Sequence, residues 1–140
     1  MQAKEILSMP AIINMEIMSA QIELEHYKRL AVKMEKCFVE NEETQKKREE
    51  LNNIIINYKR TITEKYLCRV DAEQRICNLV AKLSDERIKT ALKYRYICLM
   101  NFDEIAEKMS YCTRQVRRFL EKGTEELQAL NEQNLYCSGK

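Results

Sequence analysis

The chain has 140 residues, 45% hydrophobic and 33% charged, the profile of a folded rather than a disordered protein. It contains two glycines and one proline, and neither type occurs from Ala11 to Lys122, which excludes an all-β fold needing turn residues every ten or so positions. The same scarcity argues against parallel α/β folds with glycine-rich phosphate loops, and a net charge of +2 does not by itself announce a polyanionic partner.

No apolar run exceeds the five residues Tyr96–Met100, so no membrane-spanning helix is expected. The opening MQAKEILSMP lacks the apolar core of a secretory signal, and a cytoplasmic protein is expected. The six cysteines, at 37, 68, 77, 98, 112 and 137, include no CxxC pair, and His26 is the single histidine. Neither a metal site nor a cofactor is expected, and the thiols read as buried rather than disulfide-bonded.

The first periodic segment runs from Ile13 to Phe38. Ile13, Ile17, Ala20, Leu24, Tyr27, Ala31, Met34 and Phe38 recur at alternating steps of four and three, the coiled-coil period. Such a helix is too long for a small globule and requires a partner helix. Residues 41–50, NEETQKKREE, carry no apolar side chain and hold the expected turn near Asn41–Thr44. A second stripe, Leu51, Ile55, Tyr58, Ile62 and Tyr66, resumes at Ile76, Val80 and Leu83. One helix from about Thr44 to Leu83 is expected, interrupted in pattern but not in propensity by Arg69, Asp71 and Glu73. Two long helices joined by a short polar turn favour an antiparallel hairpin or coiled coil over residues 1–83. The same stripes could form a homodimer seam, and both uses remain open. The methionines and tyrosines fall mostly at helical spacings and read as core or seam, and His26 reads as a surface or seam residue.

The last third changes character. Ser84 is the expected cap of a helix over Asp85–Cys98. Asn101 with Glu104 reads as a capping box opening a short helix, Phe102–Met109. After Ser110–Tyr111–Cys112, a longer helix is expected from Thr113 to about residue 130, with 131–140 as a flexible tail. Ile105, Ala106 and Val116 would face inward, and Tyr111 would fill the turn. Within Thr113–Lys122, four cations stand against Glu121 alone, a local charge of +3. Short helix, tight turn and a second helix with arginines on its first turns is helix-turn-helix geometry. Thr113, Arg114, Gln115, Arg117, Arg118 and Lys122 are the candidate DNA contacts. Arg114 or Arg117 would read bases, and Arg118 and Lys122 would hold phosphates.

Leu83–Leu127 also resembles region 4 of bacterial sigma factors, through Arg95-Tyr96, Glu104-Ile105-Ala106 and the Val116-centred segment Thr113–Arg118. The whole chain is similar to small phage and prophage proteins that join a helical front to a sigma-like helix-turn-helix, relatives of which are described as late-gene transcription regulators. The likeness is carried by 45 of 140 residues. Cys112 stands where that family has a capping Ser or Thr, Gly123 where it tends to have Ala, and no region 2-like segment accompanies them. The resemblance implies an all-α fold, a helical region 1–83, a DNA-binding domain 84–130 and a partially buried Arg95–Glu104 ion pair fixing the helix angle. It implies duplex DNA as partner, with RNA polymerase a further expected contact. A homodimer through the front helices is expected because one small helix-turn-helix has modest affinity that two half-sites multiply. The alternative is a helical protein–protein adaptor, or a phage assembly or packaging factor, that reads no bases. The carboxylates alternate along helix faces and no nucleophile stands beside a base, so no enzymatic activity is expected.

Overall fold

The computed structural model describes the backbone of residues 1–37 and 39–138, and side chains as far as Gln133 apart from that of Phe38. The protein is all-helical: α1 (Ala3–Glu35), α2 (Glu42–Val80), α3 (Glu86–Tyr96), α4 (Phe102–Met109) and α5 (Thr113–Ser138). No strand occurs among the described residues. None of the helices is long and apolar enough to cross a membrane among those residues. The chain divides into two units, Ile13–Cys68 and a second made of Met1–Ile12 with Arg69–Lys140. The division does not fall at Leu83, where composition changes.

Within Ile13–Cys68, the expected stripe on α1 is the one that is covered. Ile13, Ile17, Ala20 and Leu24 are buried, and Tyr27, Ala31 and Met34 are half-buried. Phe38, the last expected member, lies outside the described residues. Ala20 and Leu24 pack on Ile62, with Ile55 and Tyr58 beside them. Tyr27 and Tyr58 approach at 5.4 Å between ring centroids. Glu16 meets Lys65 at 2.7 Å, and Gln21 donates to the Tyr66 hydroxyl at 3.0 Å. Positions rise along α1 as they fall along α2, so these contacts have antiparallel sense. Around the turn, the Asn41 side chain accepts from the Thr44 N–H at 2.8 Å, and α2 starts two residues earlier than expected. Arg48 reaches from α2 to Glu40 at 2.8 Å and to the Met34 carbonyl at 3.1 Å, which also accepts from the Cys37 N–H at the end of α1.

Tyr66 is not part of the covered stripe; it is 44% exposed. The buried line on α2 instead continues Ile62, Lys65, Arg69, Ala72, Ile76 and Leu79, keeping strict three–four steps. Lys65 and Arg69 are half-buried there, their stems lying along the helix while their charges meet Glu16 and Glu73. The heptad is therefore continuous where apolar letters alone show a gap.

The other unit buries a single core of Ala3, Ile6, Leu7, Ile76, Leu79, Val80 and Leu83 with Ile88, Ala91, Leu92, Ile105, Ala106, Val116, Phe119, Leu120 and Leu127. Ala3, Ile6, Leu7 and Pro10 share one face of α1 and are all buried, so the helix starts ten residues before Ile13. Pro10 removes an N–H inside this helix, ordinarily a cost of about 3 kcal/mol, and its full burial offsets that loss. The N-terminus is tied to α5 by Ala3 N–H donating to Gln128 at 2.8 Å and Asn131 donating to the Met1 carbonyl at 2.6 Å. The last helix extends to Ser138, past the expected end near residue 130.

One expectation about side-chain type fails and another holds in part. Cys37, Cys68, Cys98 and Cys112 are exposed and Cys77 is half-buried, while Cys137 lies outside the described side chains. These positions fall beside the apolar stripes, whose interior places are taken by Ile, Leu and Ala. The methionines and tyrosines divide: Tyr58, Tyr94, Tyr96, Met100 and Met109 are half-buried against the cores, none described is wholly buried, and Met15 is 71% exposed. The wholly buried places need compact shapes that pack between close helices. His26 is exposed, edge-on to Tyr27.

Leu24 tests the inner seam, since Leu24→Asp puts a carboxylate between Ala20 and Ile62. The substitution should cost at least about 2–4 kcal/mol, read as a large fall in melting temperature. An unchanged melting temperature would show that this face is not held closed.

Candidate nucleic-acid interface

Helices α3, α4 and α5 are set by strong local ends. Asp85, not Ser84, caps α3: its carboxylate accepts from the Arg87 N–H at 2.9 Å from an extended backbone. A carboxylate interacts with the positive end of a helix more strongly than a hydroxyl. Hydrogen bonds from the Arg87 side chain and then its backbone N–H hold the Asp85 carboxyl below its ordinary range. Asn101 and Glu104 form the expected capping box of α4, with the Glu104 N–H donating to Asn101 at 2.8 Å. At the end of α4, Ser110 takes φ 60° and ψ 40°, a left-handed conformation more often filled by glycine. The Tyr111 N–H then donates to the Ala106 carbonyl at 3.0 Å, closing the turn before α5.

Val116, Phe119, Leu120 and Gly123 form the inward face of α5. A Cβ at Gly123 would stand 2.7 Å from Ile88 Cγ2 and 2.9 Å from Leu92 Cδ1, so the absence of a side chain permits the close α3–α5 approach. At roughly 100° per residue, Arg114, Arg118 and Glu121 project within about 60° of one another on the opposite side. Arg117 and Lys122 flank them. All five are exposed, while Thr113 and Gln115 are half-buried. No ion pair engages Arg114, Arg117, Arg118 or Lys122 among the described residues. The outward face of α5 therefore carries positive charge that no carboxylate neutralises by contact, although Glu121 stands within it.

The expected Arg95–Glu104 ion pair is not formed. Glu104 is exposed and turned to the Asn101 N–H at 3.5 Å, where the capping box uses its carboxylate. Arg95 donates instead to the Met100 carbonyl at 3.0 Å and lies 4.6 Å over the Phe102 ring. Arg117 lies over the same ring at 5.2 Å. Tyr111 does not fill the turn either; it is 38% exposed and edge-on to Phe119 at 5.2 Å. Arg87 also lies over Phe119, at 5.5 Å. Cys112 makes no side-chain cap, and its carbonyl accepts from the Val116 N–H at 3.1 Å.

Sequence reasoning missed Phe102 as the ring that gathers two arginines, because Arg95, Phe102 and Arg117 lie on three different helices and periodicity does not carry across the turns between them. It also missed Lys4, which lines an open groove of about 480 Å³ together with Arg95, Phe102, Arg117, Glu121 and Glu125. Among the described residues, no three His, Cys, Asp or Glu side chains gather as metal ligands. No protein-family model, curated protein or solved structure matches the chain.

Gly123→Ala should test the close helix approach. Better helix propensity is worth about 1 kcal/mol, but displacing buried Ile88 and Leu92 costs about 1–3 kcal/mol. The melting temperature is expected to fall, and a rise would show that both side chains yield freely.

Proposed function

We propose that the protein is a duplex-DNA-binding transcriptional regulator in which α4, the Ser110–Cys112 turn and α5 act as a helix-turn-helix. The observation that carries this reading is the un-neutralised cluster of Arg114, Arg118 and Lys122, facing outward on a helix whose opposite side is core, with Arg117 beside them over Phe102. Arginine suits both roles such a helix needs, bidentate reading of guanine and contact with phosphate. Arg114 and Arg118 lie nearest the outward centre, so Arg114 is the favoured base contact, with Arg118 and Lys122 on phosphates. The likeness of Leu83–Leu127 to sigma factor region 4 points to transcription as the setting, and to RNA polymerase as a further partner.

Anisotropy titrations on specific and random duplexes at several salt concentrations test this reading. Two phosphate contacts, from Arg118 and Lys122, give a log–log salt slope of about −2 per bound chain. Arg118→Ala should weaken all duplexes alike and reduce the slope by about one. Arg114→Ala should cost about 1–3 kcal/mol and relax one base position. No binding at low salt would overturn the proposal.

One observation favours a second reading, the protein–protein adaptor. Met15, Met18 and Ile22 are 71%, 54% and 68% exposed and share the outer side of α1 at coiled-coil steps. On the DNA-binding reading, this row is where two copies meet, because the inner stripe is already covered by α2. Two tethered helix-turn-helix units would also multiply a modest single-site affinity. Light scattering should give a dimer for the wild type and a monomer with unchanged melting temperature for Ile22→Glu. A monomeric wild type would remove the dimer from this account.

A further inference from the structure

We infer that Arg117 is a positioning residue rather than a base reader: with Arg95, it clamps the Phe102 ring and sets how α5 lies on α4. The consequence for DNA rests on the reading above; the clamp itself does not. Three helices meet at this ring. Arg95 comes from the end of α3, Phe102 opens α4, and Arg117 lies one turn into α5. Their guanidinium carbons stand 4.6 and 5.2 Å from the ring centroid, within the range where a ring face attracts a cation.

Each participant is held from another direction. Phe102 is half-buried and packs against the main core, directly after the capping residue Asn101. Arg95 is half-buried and donates to the Met100 carbonyl at 3.0 Å. That carbonyl belongs to a turn in which Leu99 has φ 57° and the Met100 N–H returns to the Tyr94 carbonyl at 3.0 Å. Arg117 is the exposed member, and the ring is the group that orients it. A guanidinium over a ring uses its face and keeps its edge donors. Because Phe102 opens α4, the Arg117 guanidinium is held toward α4, away from the centre held by Arg114 and Arg118. Lysine has the charge but not the plane, so it holds the ring less well than arginine here.

A double-mutant cycle of Phe102→Leu and Arg117→Lys tests the clamp, with Phe102→Tyr as the control that keeps a ring. Arg117→Lys changes an exposed residue and keeps its charge, so the folded state remains measurable. Each single change should lower the melting temperature by about 2–4 °C, and the double variant should fall no further than the larger single change. On DNA, both should weaken every duplex by about 2- to 5-fold with base preference and salt slope unchanged, and Phe102→Tyr should match wild type. Additive losses in melting temperature would overturn the clamp. So would an Arg117→Lys protein that relaxes one base position while Phe102→Leu does not. A wild type that binds no duplex would defeat the proposed function alone, because the melting cycle still decides the clamp.

Discussion

The packing of the first turns of α1 and the end of α2 into the core of α3, α4 and α5 is the constraint on which the structure depends. Of the sixteen buried residues described in that core, seven come from before Ser84: Ala3, Ile6, Leu7, Ile76, Leu79, Val80 and Leu83. A segment of about 45 residues buries too small a fraction of its surface to be stable with the remaining nine. The compositional break near Ser84 is thus a change of surface and not of core. It also explains why Pro10 is tolerated inside a helix, since the turn carrying it is held by what it buries.

On that core, the geometry of the last three helices follows from a few local devices. The Asp85 cap and the Asn101–Glu104 box fix two helix starts, and left-handed Ser110 reverses the chain in a turn too short to wander. Gly123 then allows α5 to approach Ile88 and Leu92 closely. With that face committed, the arginines can only point outward or toward α4. Their division between these directions separates Arg117, gathered with Arg95 on Phe102, from Arg114 and Arg118. The proposed division of labour follows from the packing of the opposite face.

The long helices illustrate a different balance. An inner stripe is covered within the chain, yet Met15, Met18 and Ile22 leave a second apolar row in water. Helix α2 bridges its apolar gap with Lys65 and Arg69, whose stems cover the seam while Glu16 and Glu73 receive the charges. Such pairs at partial exposure contribute little energy, and their value is in letting the three–four rhythm continue.

The sequence by itself determined the helical class, the inner stripe from Ile13 to Met34, the capping box of α4 and the outward basic face of α5. Each depends on residues within a turn or two of one another, where helix periodicity and capping chemistry leave a direct trace. Tertiary structure alone decided where the core divides, that Ala3–Pro10 belongs to it, and that the described thiols stay out of the buried positions. It also turned Arg95 away from Glu104 and toward Met100 and Phe102. A carboxylate already satisfied by a local cap has little to offer a distant arginine, whereas a ring and a carbonyl brought together by folding do. Those partners stand five and seven residues from Arg95 across the turn between α3 and α4, and helix periodicity does not carry across a break in the helix.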